Sequence, residues 1–401
     1  MLYLIKLEAE MNVQNTVPQA QKDRVAFSQV DNGSVNDLLA YAAKKSGRSV
    51  IKLGMDFSRL SRGRGKIQIA EYIRWGLFYE DRFTEEERSK FISNSLHWPI
   101  AHKCNVNGWR SAAEDKVLAG TILNAGGVKT PETVAVIDKS ARSYPGLQKL
   151  STPEAIRDFV LSFGAEQLFG KIVDGMLGVG VFSVKGADQT HIVCSGHAPM
   201  TYSEFLTNFL GDDAYMLQRR LENHSDIGRF CSALATVRMV NLVQDGRIDC
   251  PVAVISMPQG DQIADTLWRN GNIACSIKAE TGEIESVVTR SGPGIDFLED
   301  HPTVKGLMGM KLPHWDALRE MNERAARLFA PIRYQSTDIG ITQDGPVIVE
   351  LNYGGGFGLP QNAPGRGLLT PTMENFLTDC GVNLGAQSKE KKPGLRLFGK
   401  K

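Results

Sequence analysis

Near the end of one apolar run, PVIVELNYGGG at residues 346–356, Glu350 and Asn352 stand two positions apart and have the chemistry to hold a hard cation. In an extended strand, residues two apart point to one side, so both oxygens face one way while Val349 and Leu351 face the other. Just upstream, STDIGITQDGPVIVELN reads as a hairpin: a strand over 337–342, a turn over 343–346 and a strand over 347–352. Folding about that turn brings Asp338 level with Glu350 or Asn352 and supplies a third oxygen. Asp, Glu and Asn around one point suit Mg²⁺, which takes few protein carboxylates and leaves its other positions to water and phosphate. A polar strand end satisfied by its neighbours fits the same pattern, so the metal reading calls for phosphate-binding partners elsewhere.

Such partners occur upstream. FGKIVDGMLGVGVFSVKG places Lys171 on a strand, followed by Gly175, Gly178 and Gly180 before another strand. A glycine-rich hairpin lets backbone N–H groups approach phosphate oxygens, and a strand lysine can neutralise them, although glycine-rich turns without ligands are common. The spacing is neither a Walker A motif nor a Rossmann fingerprint. Lys116 opens the helix EDKVLAGTILNAGG, a position that also suits an ordinary surface lysine. AYMLQRRLENHSDIGRF runs from a strand into a polar connection that can offer backbone hydrogen bonds to an adenine edge and a carboxylate to a ribose, or can be an exposed charged turn. In TVRMVNL, Arg238 sits in an apolar strand, where a guanidinium needs an anionic partner, either a ligand or a structural carboxylate.

The elements that must position these groups are read from periodicity. Residues 1–110 are expected to be mostly helical, with DLLAYAAKKSG and KIQIAEYIRWGLFYEDRFTEEERSKFISNSL carrying apolar residues at three- and four-residue spacing. From 111 the texture becomes α+β: a helix stopped by Gly126 and Gly127, then strand runs joined by hairpin signals such as QDG and ETGE, with helices at TPEAIRDFVLSFG, TYSEFLTNFLG and PHWDALREMNERAARLFAPI. The expected units are 111–215, 216–385 and a basic disordered tail over 386–401. With 46 basic against 45 acidic residues, the chain has no overall field for nucleic acid or an anionic membrane. The start, MLYLIKLEAEMN, is too short an apolar run for a signal peptide, and no stretch is long enough to span a bilayer, so a cytoplasmic protein is expected. Six scattered cysteines without a C-x-x-C pair suggest neither zinc nor a disulfide framework.

In order, Lys116, GKIVDGMLGVGV, YMLQRRLENH, TVRMVNL and DIGITQDGPVIVELN resemble the ATP-grasp superfamily, and more closely its sugar-transfer associated branch, related to α-L-glutamate ligases. EDHPTVKGLMGMKLPHWDAL, GLPQNAPGRGLL and EYIRWGLFYEDRFTEEERSKFIS are similar to that branch too, over residues 55–380. The resemblance implies an ATP-grasp fold, with ATP held between two α+β subdomains. Lys116 and Lys171 would touch its phosphates beneath the loop carrying Gly178 and Gly180. Gln218, Arg219 and Leu221 would border adenine, and Glu222 the ribose. Asp338, Glu350 and Asn352 would bind one or two Mg²⁺ ions, for which Mn²⁺ can substitute, and Arg238 and Arg290 would steady the transferred phosphoryl group or the substrate carboxylate. Ile172 stands where a proline is common, and Arg219–Arg220 where many relatives carry an acidic hinge. The implied chemistry is a carboxylate–amine ligase working through an acyl phosphate on small-molecule acids and amines, in glycan or small natural-product assembly. The alternatives are a phosphotransferase acting on a hydroxyl or histidine and a non-catalytic nucleotide-binding module. NYGGGFGLPQNAPGRGLL, with Gln361 and Arg366, is expected to line the substrate side, and neither His224 nor His301 is singled out as a base.

Overall fold

The computed structural model describes residues 17–30, 33–264 and 269–385; the expected basic tail and the MLYLIKLEAEMN start lie outside them. Two seven-stranded sheets carry the fold. The first contains β1 (Thr133–Ile137), β2 (Gln148–Leu150), β3 (Leu168–Ile172), β4 (Phe182–Ala187), β5 (His191–Cys194), β6 (Met200–Thr201) and β7 (Tyr215–Arg219), in spatial order β2-β1-β7-β3-β4-β5-β6. The second contains β8 (Thr236–Gln244), β9 (Arg247–Met257), β10 (Ile273–Ile277), β11 (Ile284–Ser291), β12 (Gly294–Leu298), β13 (Tyr334–Thr342) and β14 (Gly345–Asn352), in order β12-β11-β10-β9-β8-β13-β14. Every pairing is antiparallel except β1 with β2.

Each sheet has its own core. Helix Pro153–Phe163, capped by Thr152 and opened by proline, buries Ile156 and Val160 with Leu168, Phe182, Phe205 and Tyr215 of the first unit. Helix Trp315–Leu328 lays Leu318 and Ala325 against Val237, Met239, Ile255, Cys275 and Ile339 of the second. Asn241 and Asn322 exchange amide hydrogen bonds at 2.8 and 2.9 Å inside that core, so the polar pair is satisfied where water cannot reach it.

The N-terminal segment is helical but divided. Val35–Ser46 and Val50–Arg62, capped by Ser34 and Ser49, pair around Leu38, Leu39 and Leu53. The second periodic stretch breaks into Ile69–Arg74 and Glu85–Ser89, because Gly76 takes φ +62° and Thr84 opens a fresh helix with a capping box to Glu87. TYSEFLTNFLG likewise starts as an α-turn at Tyr202–Glu204 and widens to a π-helix over Phe205–Phe209. This layer is anchored to the second unit: Trp75 Nε1 donates to Asn362 Oδ1 at 2.6 Å, and Gln361 exchanges bonds with the backbone of Ile92. Among the described residues no helix is long and apolar enough to cross a membrane.

Candidate active site

β13 lies between β8 and β14, and the register sets Asp338 opposite Arg238 on one side and Glu350 on the other, with Asn352 opposite Ser336. The turn is tighter than the sequence suggested. Thr342 pairs with Gly345, so Gly345 and Pro346 belong to the strand, and Pro346 is tolerated because β14 is the sheet edge. A bulge between Asp338 and Ile339 leaves Val349 unopposed in the ladder. Its carbonyl instead accepts from Lys171 Nζ at 3.1 Å, across from the other sheet.

The charges in this cluster are paired. Arg238 grips Asp338 with two bonds, Nε to Oδ1 at 2.8 Å and Nη2 to Oδ2 at 2.7 Å, and Asn352 Nδ2 donates to Asp338 Oδ2 at 3.2 Å. Lys116, at the start of helix Lys116–Ala125 and positioned by the Asp115 cap, reaches Glu350 Oε1 at 3.2 Å and also bonds the Gly175 carbonyl. Lys171 is buried, and desolvation pushes its ammonium down to about 8 against the pull of Glu350 and with a further push from Lys116.

The hairpin and lysines open on a cleft of about 800 Å³, which Lys171, Gly178, Gln218, Arg219, Leu221, Glu222, Arg238, Asp338, Glu350 and Asn352 all line. Lys116 lines a second hollow of about 610 Å³ that shares Lys171, Gln218 and Glu350 with the first. Residues 173–181 form a flap between β3 and β4 with φ +62°, +64° and +71° at Leu177, Gly178 and Gly180. At Gly180 a Cβ would come within 2.8 Å of both Ile172 Cδ1 and Tyr215 Oη, so glycine is required twice over. Gln218 is buried and donates to Thr133 Oγ1 at 3.3 Å. The Arg219 guanidinium is committed to Glu132 at 2.7 Å and Gln167 at 2.5 Å.

Other sequence candidates fall elsewhere. Arg290 does not line the cleft; its guanidinium donates to the carbonyls of Gly292 and Val30 at 3.3 and 3.2 Å. Gln361 is fully buried, bonding Ile92, Phe357 and Leu368, and Arg366 pairs on the surface with Glu285. His301 bonds the Phe230 carbonyl and caps residues 303 and 304, and neither it nor His224 lines the cleft.

Sequence reasoning missed the cleft face built by the helical layer: Asn94, His97, Trp98 and Glu114. It is held by the glycine run, which packs closely on it and itself lines the cleft at Gly355 and Gly356. Gly355 N donates to His97 Nε2 at 3.1 Å, Phe357 N donates to Asn94 Oδ1 at 2.8 Å, and a Cβ at Gly354 would approach His97 Nε2 to 2.9 Å. Accepting that bond places the His97 proton on Nδ1, and burial beside Arg238 pushes the ring down to about 4, so it is neutral near pH 7. GGG after the metal-type strand was the one available signal for this packing.

Two mixed α+β units meeting at a cleft, with Lys171 and a glycine flap on one side and the oxygen donors with Lys116 on the other, define the ATP-grasp fold. Residues 101–376 match the sugar-transfer associated ATP-grasp family, and the chain belongs to it. No curated protein matches. Solved structures similar to it include the VanG D-Ala:D-Ser ligase from Enterococcus faecalis, at 11% identity and TM-score 0.41 over 69% of this chain and 63% of that one. D-cycloserine synthetase DcsG aligns at 14% identity and TM-score 0.38 over 75% and 86%. The D-alanine–D-alanine ligase from Coxiella burnetii aligns at 13% and 0.34 over 67% and 57%. The chain thus spans less than two thirds of the VanG and Coxiella ligases.

Proposed function

We propose that this protein is an ATP-dependent carboxylate–amine ligase that forms an amide through an acyl phosphate and releases ADP and phosphate. One observation carries the reading: Asp338, Glu350 and Asn352 converge from adjacent strands on a single cleft, where Lys171 reaches Val349 from the opposite sheet and Lys116, on a helix packed in the second sheet's core, pairs with Glu350. The donor set fits Mg²⁺. Among the described residues no group of three or more His, Cys, Asp or Glu side chains could hold a metal ion; Asp338, Glu350 and Asn352 offer two carboxylates and an amide oxygen, a set that would leave the rest of a hard cation's shell to phosphate and water. Bound there, Mg²⁺ would neutralise triphosphate oxygens and make the γ-phosphorus more electrophilic.

The chain's own residues supply position and charge. Lys116 and Lys171 exchange Glu350 and the Val349 carbonyl for phosphate oxygens, the flap offers backbone N–H groups above them, and the backbone at Leu221, just past the paired N–H groups of Arg219 and Arg220, meets the purine edge. A carboxylate oxygen of the acid attacks the γ-phosphorus and ADP leaves; the amine then adds to the acyl carbon and phosphate leaves. Arg238, oriented by both Asp338 oxygens, is the cation beside the transferred group, whereas Arg290 lies outside the cleft lining and does not share that role. His97 cannot serve as a base while its Nε2 accepts from Gly355. Acids of sugar or amino-acid type are the substrate class proposed, in the cytoplasm where ATP is supplied.

A screen of acid and amine pairs for ADP release tests this, with Glu350→Ala as control. Release that needs both substrates supports the ligase, and a phosphorylated product formed without amine makes the protein a phosphotransferase. Mg·ATP binding without turnover in any mixture makes it a nucleotide-binding module, and full activity in Glu350→Ala removes the metal assignment.

A further inference from the structure

Helix Gln19–Gln29 precedes the family region, which begins at 101. It has little reason to form alone: no side chain caps its N-terminus, and neither end carries a charge that complements the helix dipole. Tertiary contacts hold it. Ala20 is fully buried in the first unit's core beside Ile172 and Tyr215, and Pro18 packs on Gly211, where a Cβ would come within 2.7 Å of the proline ring.

Asp23 makes the decisive contacts. It is 7% exposed; Oδ2 accepts from Gly180 N at 2.9 Å, while Oδ1 accepts from Gln19 Nε2 at 3.1 Å and pairs with Arg269 Nη2 at 3.5 Å. Gly180 belongs to the flap of the first unit. Arg269 belongs to the connection between β9 and β10 of the second, whose Ile263 and Ala264 line the cleft. One carboxylate therefore ties the flap to the opposing unit. One turn further, Phe27 lines the cleft beside Met176, Leu177 and Gly178, and the carbonyl of Val30 is held by Arg290.

We propose that helix Gln19–Gln29 is a strap that fixes the glycine flap over the nucleotide, with Asp23 as its positioning residue and Phe27 as part of the nucleotide-site wall. The proposal rests on the nucleotide-binding reading of the cleft. It accounts for a flap joined to its own sheet by two ladder pairs between β3 and β4, Phe169 with Ser183 and Gly170 with Phe182, and for the buried carboxylate of Asp23. Arg290 also finds its place here, because a guanidinium expected at the phosphoryl group instead secures the end of the strap.

The test uses the full chain and two readouts, hydrogen exchange over residues 174–182 without nucleotide and the dissociation rate of mant-ATP with Mg²⁺. Asp23→Ala speeds flap exchange and mant-ATP dissociation about tenfold each. Asp23→Asn keeps an acceptor for Gly180 but loses the charge facing Arg269, and falls in between. Arg24→Ala, whose partner Asp213 is at the surface, changes neither. Wild-type exchange in a folded Asp23→Ala protein overturns the strap, as does unchanged dissociation alongside faster exchange. Should Asp23→Ala not fold, Arg269→Gln takes its place, and a flap as protected as wild type overturns the proposal. Failure of the wild-type protein to bind mant-ATP overturns the nucleotide reading and the wall role of Phe27, while the exchange arm still decides whether Asp23 holds the flap.

Discussion

The second sheet presents its functional oxygens from inside paired strands, whereas the first presents Lys171 near a strand end and then a flap whose shape depends on glycines. Asp338 is fixed from both sides, by the β8 and β14 ladders and by a two-bond grip from Arg238. The flap has a short ladder beneath it, left-handed backbone at Leu177, Gly178 and Gly180, and a carboxylate borrowed from helix Gln19–Gln29. On the proposed reading the contrast separates two roles, a rigid surface that sets where charge is neutralised and a loosely tied one that covers the nucleotide.

The largest effect breaks the rigid side. Asp338→Asn keeps the shape and an acceptor for Arg238 and Asn352 while removing the charge, so circular dichroism stays native and ADP release falls about 100-fold or more. Activity within a few-fold of wild type would remove the constellation from the chemistry. Next comes the lysine facing it. Lys171→Met weakens Mg·ATP binding about tenfold near pH 7. Only the ammonium form neutralises phosphate, and burial holds it down to about 8, so wild-type affinity is strongest below that pH and declines as pH rises through it. Stability moves the opposite way: between about 8 and the ordinary lysine value the unfolded chain binds the extra proton, so raising pH through that window favours the folded state. Titration calorimetry and thermal melts across pH 7 to 10 read both signs, and a Lys171→Met protein that keeps the alkaline fall in affinity assigns it to another group.

The rigid side was also the more legible in sequence. Strand alternation and the QDG turn place Asp338 opposite Glu350 because both signals are local. The turn length escaped because Pro346 looks like a strand breaker until β14 proves to be an edge. The parallel β1–β2 pair and β12 depend on distant packing that no local period encodes. Likewise Asn94, His97 and Trp98 join the cleft because Gly354, Gly355 and Gly356 let a loop settle on helix His97–Cys104; GGG reads in sequence as a ligand-facing segment, and Gly355 and Gly356 line the cleft, while its second role as a packing surface shows only in the fold. Arg219, Arg290 and Gln361 show the same limit: a polar side chain near a motif has several possible partners, and only the fold chooses among them.

Two glycines sharpen the comparison at intermediate size. Gly180→Ala forces a Cβ into φ +71° against Ile172 and Tyr215, so the ATP KM rises about three- to tenfold while the second unit's core is untouched. Gly282→Ala, at φ +79° in the turn between β10 and β11, overlaps the Trp315 ring and costs about 1–3 kcal/mol of stability with the ATP KM unchanged. Steady-state kinetics and thermal melts on both variants separate a flap glycine from a packing glycine, and the same pattern in both would erase the distinction.

The smallest effect concerns Arg219, which the family resemblance puts beside adenine. Arg219 borders the cleft, and its side chain is spent on Glu132, on Gln167 and on the Phe163 ring, 4.8 Å away. Those contacts are mostly exposed, so Arg219→Ala costs under about 1 kcal/mol of stability. On the proposed reading main-chain groups meet the purine edge and the substitution leaves them in place, so the ATP KM shifts by no more than about twofold. A tenfold loss would mean that the guanidinium swings onto the nucleotide once the cleft is filled, and that the hinge, like the flap, belongs to the part of the site that moves.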